Sequence, residues 1–422
     1  MKRNLLPVLA LLSGVLFLFL GNGLHSLLLP VRGSLEGYSN EVLGLLGTSW
    51  ASGFVAGCFF APKLVRRIGH VRAFSCFIAM IAIIALTTGV LIDEYSWVLL
   101  RALTGFCTAG TTMIIESWLN ERATNESRGT IFSFYTTVTL VGVVGGQMLV
   151  GLGNPSTTIL FMICGILYCF AMLPTTLSNA ASPQPLKSVK LDLRSLYRNS
   201  PVSCVGILLI GIANGAYGTL GAVFASRAGL TPAQIAIMLG ITIAMGALAQ
   251  MPAGKVSDMT DRRYVLAALA TVSAVAALLI VAIEPSNVIM MIVLVALYGT
   301  AANALYPIAV AHANDFASSD EFVKVSGGLL LLFGIGTIIG PTVGGPVMTI
   351  LGPYMLFAVT AVAHISLAAY AIFRSRVRAA IPVEDRELRP AMTNGTQYST
   401  PESLQLDPRS MPKQDPAKQA AE

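Results

Sequence analysis

The chain has 422 residues, of which 55% are hydrophobic and 11% charged, and its formal net charge at pH 7 is +6. A soluble globular protein carries about 25% charged residues, so this composition excludes an ordinary soluble domain and indicates a membrane protein. The basic residues are spread over many short loops, which argues against a nucleic-acid partner. No metal-ligand spacing and no nucleotide-binding loop occurs, so the sequence predicts neither a metal nor a cofactor.

Apolar stretches long enough to cross a membrane recur along the whole chain. A helix needs about 20 mostly apolar residues to span the hydrocarbon core. Twelve stretches approach or exceed this length, at 5–29, 41–62, 73–92, 96–117, 130–152, 157–174, 202–225, 233–253, 264–283, 287–311, 325–350 and 354–374. The predicted fold is therefore an all-α integral membrane protein with about twelve transmembrane helices.

The loops between these stretches differ in charge. With the N-terminus inside, the outer loops hold only Arg32 and Arg227. The inner loops hold the other fourteen loop Lys and Arg residues, namely Lys63, Arg66, Arg67, Arg72, Arg122, Arg128, Lys187, Lys190, Arg194, Arg198, Lys255, Arg262, Arg263 and Lys324. Basic loops remain cytoplasmic, so we predict that both termini are cytoplasmic and that the protein is a multi-pass protein of a bacterial plasma membrane.

The two halves of the chain repeat one another. The stretch around Asn22 recurs around Asn214, an offset of 192 residues, and later glycines recur at an offset of 194. The repeated glycines are Gly105 with Gly299, Gly142 with Gly336, and Gly146 with Gly340. Small residues at a spacing of four, as at Gly53 and Gly57, favour close helix packing over chemistry. Two related halves in an apolar chain predict a central cleft between them.

This repeat divides the chain into four parts. We predict an N-terminal six-helix bundle at 1–177, a cytoplasmic linker at 178–199, a C-terminal six-helix bundle at 200–376 and a disordered cytoplasmic tail at 377–422. The tail is rich in Pro, Gln, Ser and mixed charge and has little to bury. Within the linker, residues 191–196 are predicted to form a short amphipathic helix on the inner leaflet.

One loop carries the clearest motif. In residues 250–263, Gly254, Asp258, Arg262 and Arg263 match the loop signature of the major facilitator superfamily, although Asp261 stands where Gly is usual. With the Arg-containing fourth span and the Gly-Pro stretch at 340–346, the chain resembles this superfamily over residues 5–375. The resemblance implies a monomeric secondary transporter of a small-molecule substrate, working in membrane lipid by alternating access, with a proton favoured as the coupling ion.

The resemblance also implies gate residues on the cytoplasmic side. Gly254, Asp258, Arg262 and Arg263 become candidates for a latch, with the alternative that Asp258 only pairs within its own loop. The first-half copy of this loop matches the signature less well, since Pro62 and Arg66 replace the usual Gly and Asp. Glu116, near the cytoplasmic end of its span, is a candidate gate charge for Arg66 or Arg67, or else a solvated helix-end residue.

Polar side chains within the apolar spans are candidates for the substrate pathway. A cation inside a lone helix costs at least about 2.5–3.5 kcal/mol, so Arg101 either faces the cleft or extends to the outer interface. Asn22 and His25, three residues apart, share a helix face, as do their repeat partners. The candidates are Asn22, His25, Arg101, Gln147, Asn214, Tyr217 and Asn303, and for all of them except Arg101 the alternative is hydrogen bonding between helices.

Two other classes of function remain to be weighed. A transporter-like sensor would signal through its tail of about 45 residues. Truncation of the tail discriminates the two, since a transporter would keep its uptake or efflux and a sensor would lose its output. A membrane enzyme is disfavoured, because the four histidines are scattered and no His-Glu-x-x-His or Gly-x-Ser-x-Gly motif occurs.

Overall fold

The computed structural model describes residues 2–123, 127–176, 193–317, 322–378 and 398–403, with the backbone alone at 2–10, 175–176 and 322–323. This part of the chain forms thirteen α-helices, one 3₁₀ turn at Pro353–Met355 and no strand. The helices are α1 (Lys2–Leu35), α2 (Asn40–Ile68), α3 (His70–Val90), α4 (Glu94–Arg122), α5 (Arg128–Val150), α6 (Ile159–Thr176), α7 (Leu193–Asn199), α8 (Pro201–Arg227), α9 (Pro232–Met259), α10 (Arg262–Ile283), α11 (Val288–Asp315), α12 (Phe322–Leu351) and α13 (Leu356–Val377).

Length and composition make these helices membrane spans. Within the described residues, eleven helical segments are long and apolar enough to cross a membrane, and α6 adds a shorter apolar segment, Ile159–Pro174. Every one of the twelve predicted stretches falls on one of these helices. The prediction of an all-α membrane protein is therefore confirmed.

Local sequence determines where the spans begin. The Thr231 hydroxyl accepts a hydrogen bond from the backbone of Gln234, whose side chain accepts one from the backbone of Thr231, and Pro232 opens α9. This reciprocal pair satisfies two amide groups that the first turn leaves free. The carboxylate of Asp93 caps α4 in the simpler way. Such caps place polar residues at the ends of otherwise apolar helices.

The two halves use the same helix pairings. In the first half, α1 packs against α5 and α6, and α2 packs against α4; in the second half, α8 packs against α12 and α13, and α9 packs against α11. A Cβ atom on Gly146 would overlap the backbone of Leu20, and one on Gly340 would overlap the backbone of Ile212. These contacts are repeat equivalents, so the predicted duplication and the packing role of the glycines are confirmed.

The halves meet on one side of the bundle. Because helices alternate in direction, residues 34–48 and 338–345 lie on the side away from the termini, which we call the far side. There the hydroxyls of Thr48 and Thr342 are 2.9 Å apart, and the Arg227 guanidinium donates to the Tyr38 carbonyl over 2.8 Å. Gly44 leaves room for the backbone of Pro341. We call these contacts, between α2 and α12 and between α8 and the loop after α1, the far-side seal.

Two segments outside the spans are also placed. Helix α7 overlaps the predicted linker helix, and its Leu196 joins the apolar core of the C-terminal bundle. In the tail, Tyr398, Thr400 and Glu402 are 6%, 0% and 4% exposed. The prediction of a disordered tail is therefore wrong for residues 398–403. This segment is polar, but it is ordered because partners inside the bundle satisfy its side chains.

Candidate functional site

A cavity of about 40 Å³ lies between the two halves, and we call it the central cavity. Its polar lining comes from both bundles and from the tail: Asn22, Ser26, Arg101, Thr219, Thr337 and Tyr398. Trp50 forms one aromatic wall. Since α1, α2 and α4 supply one side and α8 and α12 the other, any movement of one half against the other changes the shape of this cavity.

A larger cavity of about 160 Å³ continues from it toward the side of the termini, and we call it the vestibule. Trp50, Ala51 and Thr337 line both spaces. Most of its other walls are apolar, from residues of α2 and α12 such as Phe54 and Leu330. Within the described residues, the two cavities form one path, which the far-side seal closes at one end and the tail segment 398–403 occupies.

Among the described residues, Arg101 is the one basic side chain that lines the central cavity. Its guanidinium carbon lies 5.9 Å from the centre of the Trp50 ring. Its Nε has no hydrogen-bond partner, and no carboxylate of the described chain forms an ion pair with it. Arg101 thus faces the cleft rather than Asp93 or Glu94. A cation held against an aromatic face without a counter-ion favours an anionic or electron-rich ligand.

Asn22 is the second cavity residue that the sequence indicated. Its Oδ1 accepts a hydrogen bond of 3.1 Å from the Tyr168 hydroxyl. Its Nδ2 is buried and donates to no atom in the described part of the protein. A buried donor without an acceptor costs about 1–3 kcal/mol, so this amide is suited to bind a polar group in the cavity.

The other pathway candidates lie within the bundles. His25 is 1% exposed, and its ring packs edge-on against Phe161 of α6, with centroids 6.4 Å apart. Its repeat partner Tyr217 packs beside Phe357 and shares a hydroxyl hydrogen bond of 3.0 Å with Thr242. Neither residue lines the central cavity.

The other three candidates do not line the central cavity either. The Asn303 amide donates to the Thr242 carbonyl over 3.2 Å, which joins α11 to α9. Gln147 on α5 is buried, and its Oε1 has no partner among the described residues. Asn214 is half-buried on α8, one residue before Gly215, which does line the cavity.

Glu116 is buried beside the path and is not at a solvated helix end. It is 1% exposed. Its Oε1 accepts a hydrogen bond of 2.9 Å from the Tyr135 hydroxyl, and its Oε2 accepts one from the Thr400 hydroxyl. Arg66 and Arg67 are exposed and form no ion pair with it. The pairing of Glu116 with these arginines is therefore absent from this conformation.

The second-half signature loop forms a buried charge cluster. Arg262 is 2% exposed and contacts the carboxylates of Asp258 and Asp315, each at 2.7 Å. Arg263 is hydrogen-bonded to Asp261 and to the backbone carbonyls of Arg374 and Arg378. In this conformation Asp258 pairs within its own loop, and a Cβ on Gly254 would meet nothing within 4 Å.

Asp261, which lies between α9 and α10, is affected by two opposing influences. Burial by itself would raise the pKa of its carboxyl group. The hydrogen bonds and charge of Arg263 outweigh that effect and leave the pKa below its usual value. The carboxyl group of Asp261 is therefore kept ionised near neutral pH.

Several site residues were not indicated by the sequence. Trp50, Tyr135, Tyr168 and Asp315 read as ordinary span or helix-end residues, and Tyr398 and Thr400 lie in a polar tail. Only Trp50 carried a usable signal, since it is one of three tryptophans in the chain and lies inside the second span. The others become visible only when the helices are brought together.

In the described residues, eleven long apolar helices and one shorter one form two like halves around a polar cavity that is sealed on one side, which is the architecture of a membrane transporter. The chain belongs to the Major Facilitator Superfamily, whose profile matches residues 11–247 and, overlapping, 202–406.

Relatives and solved structures agree with this assignment. An uncharacterized MFS-type transporter of Yersinia pestis is 27% identical over 360 residues, which cover 84% of this chain and 92% of that protein. The crystal structure of the nucleoside transporter NupG has a TM-score of 0.72 at 18% identity, with 87% and 98% covered. A bacterial homologue of the human lysosomal transporter Spinster, inward-facing and unoccupied, has a TM-score of 0.70 at 16% identity, with 91% and 98% covered.

Proposed function

We propose that the protein is a secondary active transporter that carries a small polar solute by alternating access. The observation that carries this proposal is the central cavity, which both halves line and which the far-side seal closes on one side only. In the proposed cycle, one half rocks against the other. The vestibule then closes between α2 and α12 while the far-side seal opens.

The basic loops supply the orientation. Lys63 and Arg66 lie in the last two turns of α2 and Arg72 in the first turn of α3, all on the side of the termini, whereas Arg32 and Arg227 lie in the last turns of α1 and α8, on the far side. Basic loops stay in the cytoplasm, so we assign the side of the termini to the cytoplasm. The structure then corresponds to an inward-facing state of a plasma-membrane protein.

The cavity chemistry supports a substrate class. The Arg101 cation, the Trp50 ring and the Nδ2 donor of Asn22 line the cavity, together with the Thr219 and Thr337 hydroxyls. These groups suit a solute with a flat ring and an anionic or hydrogen-bond-accepting group. A bulky cation is disfavoured, because the described lining residues of the central cavity include a cation and no carboxylate. A nucleoside, which NupG transports, belongs to this class of solute.

Removal of the cavity cation tests the proposal. In proteoliposomes with an imposed pH gradient, uptake of radiolabelled uridine, phenylalanine and benzoate is measured. For the transported probe, we expect Arg101→Ala to lower uptake at subsaturating substrate by about tenfold or more, since the loss of about 1.4 kcal/mol of binding is tenfold in affinity. Arg101→Lys, which keeps the charge, should retain part of the activity.

Arg72→Ala is the matched control, because Arg72 is exposed outside the cavities. Equal rates for wild type, Arg101→Ala and Arg72→Ala would eliminate Arg101 as a pathway residue. Accumulation of none of the three probes would contradict the proposed substrate class.

We further propose that a proton is the coupling ion and that Glu116 carries it. Glu116 is buried beside the path and has hydroxyl partners but no ion-pair partner within the described residues. A carboxyl group inside a membrane span is costly when charged and marks a functional position. A change of its hydroxyl partners during rocking would couple its protonation to the state of the two halves.

Glu116→Gln should therefore separate exchange from accumulation. We expect the variant to lose accumulation driven by the pH gradient by about tenfold or more, while exchange of labelled for unlabelled substrate continues. Glu121→Gln, an exposed acid near the end of the same helix, serves as the control. Unchanged accumulation in Glu116→Gln would show that the proton is carried elsewhere.

A further inference from the structure

The tail segment 398–403 lies inside the transport path. The Tyr398 ring packs edge-on against Phe19 and Trp50, with centroids 5.2 and 5.5 Å away. It also lines the central cavity together with Arg101 and Asn22. A tail residue thus occupies space in the central cavity beside the Trp50 ring and in the same lining as the Arg101 cation.

The rest of the segment continues into the vestibule. The Thr400 hydroxyl donates to Glu116 and accepts a hydrogen bond of 3.3 Å from the backbone of Glu402. Ser403 closes the turn by donating to the Thr400 carbonyl over 2.7 Å. Glu402 and Pro401 line the vestibule, whose mouth carries Lys63 and Arg66. The segment therefore extends from the substrate cavity to the basic rim.

We propose that residues 398–403 are a built-in competitive occupant of the substrate path, which holds the transporter in the inward-facing state. This proposal depends on the proposed function. Tyr398 takes the position of a ring of the substrate, and Thr400 takes a hydroxyl partner position on Glu116. The segment also stands between α2 and α12 and prevents the vestibule from closing.

Because the segment is covalently attached to the bundle, it can occupy the path even if its affinity for the cavity is low. Tyr398 follows Arg378 by 20 residues, and 20 extended residues span at most about 66–72 Å, which is enough to reach back into the bundle. A covalent tether of this length gives an effective concentration that can reach the millimolar range. A segment with millimolar or submillimolar affinity would therefore occupy the path for much of the time, and substrate would displace it.

Occupancy is tested first without any substrate. Cys58 lines the vestibule together with Pro401, so the full chain with Pro401→Cys is treated with a bifunctional maleimide reagent and then cleaved at a protease site placed within residues 385–390. We expect the released tail to stay attached to the bundle. Attachment should persist with Cys76→Ala, a lipid-facing position, and disappear with Cys58→Ala. A tail that is released from the Pro401→Cys protein would overturn the proposal.

Inhibition is tested by uptake of the transported probe among uridine, phenylalanine and benzoate. At subsaturating substrate, we expect Tyr398→Ala in the full chain to transport about tenfold faster than wild type, because a site free for one tenth of the time binds tenfold more weakly. A peptide of residues 395–405 at millimolar concentration should restore inhibition. Tyr264→Ala, the same substitution at an exposed tyrosine of α10, should leave uptake unchanged.

Equal uptake by wild type and Tyr398→Ala would overturn the proposal, as would a failure of the peptide to inhibit. If the tail is cross-linked through Cys58 but no variant transports any probe, the proposed function fails and the docking of the segment stands. The two failures are therefore distinguishable.

Discussion

Gly146→Val and Gly340→Val should each strongly reduce the yield of folded protein. A side chain at Gly146 would overlap the Leu20 carbonyl and the Leu24 amide, and one at Gly340 would overlap the equivalent atoms of Ile212 and Ala216. Backbone atoms cannot rotate away as side chains do, so α1 and α5, or α8 and α12, must separate. Overpacking of this kind costs about 1–3 kcal/mol or more.

Thermal unfolding of detergent-purified protein and the fraction that elutes as a single species measure this effect. Gly254→Val is the control, since no atom lies within 4 Å of a Cβ there. Gly254→Val reduces the conformational freedom of the unfolded backbone as the other two substitutions do, but its side chain overlaps no neighbouring atom. If all three variants melt at the same temperature, the glycines do not act by close packing.

Asp315→Ala should be the most destabilising substitution of a single charge. It leaves Arg262 buried with only the Asp258 carboxylate, which lies one helical turn away. Removing one partner of a buried ion pair costs about 3–5 kcal/mol, mainly because the other charge remains without compensation. The thermal midpoint of the purified variant should fall accordingly.

The matched control is Glu121→Ala, which removes an exposed acid from the last turn of α4 and should change the midpoint little. The double variant Arg262→Met with Asp315→Leu removes both charges of the buried pair. It should be closer to wild type than Asp315→Ala. A midpoint for Asp315→Ala equal to that of Glu121→Ala would show that the cluster contributes no stability.

The fold was predictable from the sequence because the membrane restricts the alternatives. Apolar length determines the number of spans, and the recurring glycines indicated both the duplication and close packing between helices. The ends of the helices were harder to predict. The second span was predicted to end at residue 62, but α2 continues to Ile68. Hydrogen bonding along the helix does not stop where the apolar run stops, so the basic residues Lys63, Arg66 and Arg67 are helical.

The candidate site was only partly predictable. Arg101 and Asn22 line the central cavity as their polarity indicated. His25 lies on nearly the same face of α1 as Asn22, yet it packs toward α6, because positions three apart differ by about 60° around a helix. Near the edge of the cavity, a rotation of this size determines whether a side chain faces the cavity or a neighbouring helix. Helical periodicity predicts which residues share a face of a helix, but it does not predict which element packs against that face.

The tail segment exposes a different limit. Composition described residues 377–422 as a chain with little to bury, and for Tyr398 and Thr400 that description was wrong. Average polarity does not report whether a few residues complement a cavity formed elsewhere in the sequence. Here the complement consists of Phe19, Trp50 and Glu116, which come from three separate helices.

The far-side seal has a consequence for how the protein responds to its surroundings. It is built from hydroxyls, glycine contacts and an arginine bound to a backbone carbonyl, with no carboxylate–cation pair between the halves in the described chain. Added salt screens charge pairs but leaves such contacts nearly untouched. Under the proposed cycle, the free energy needed to open the far side is therefore nearly the same at low and at high salt concentration.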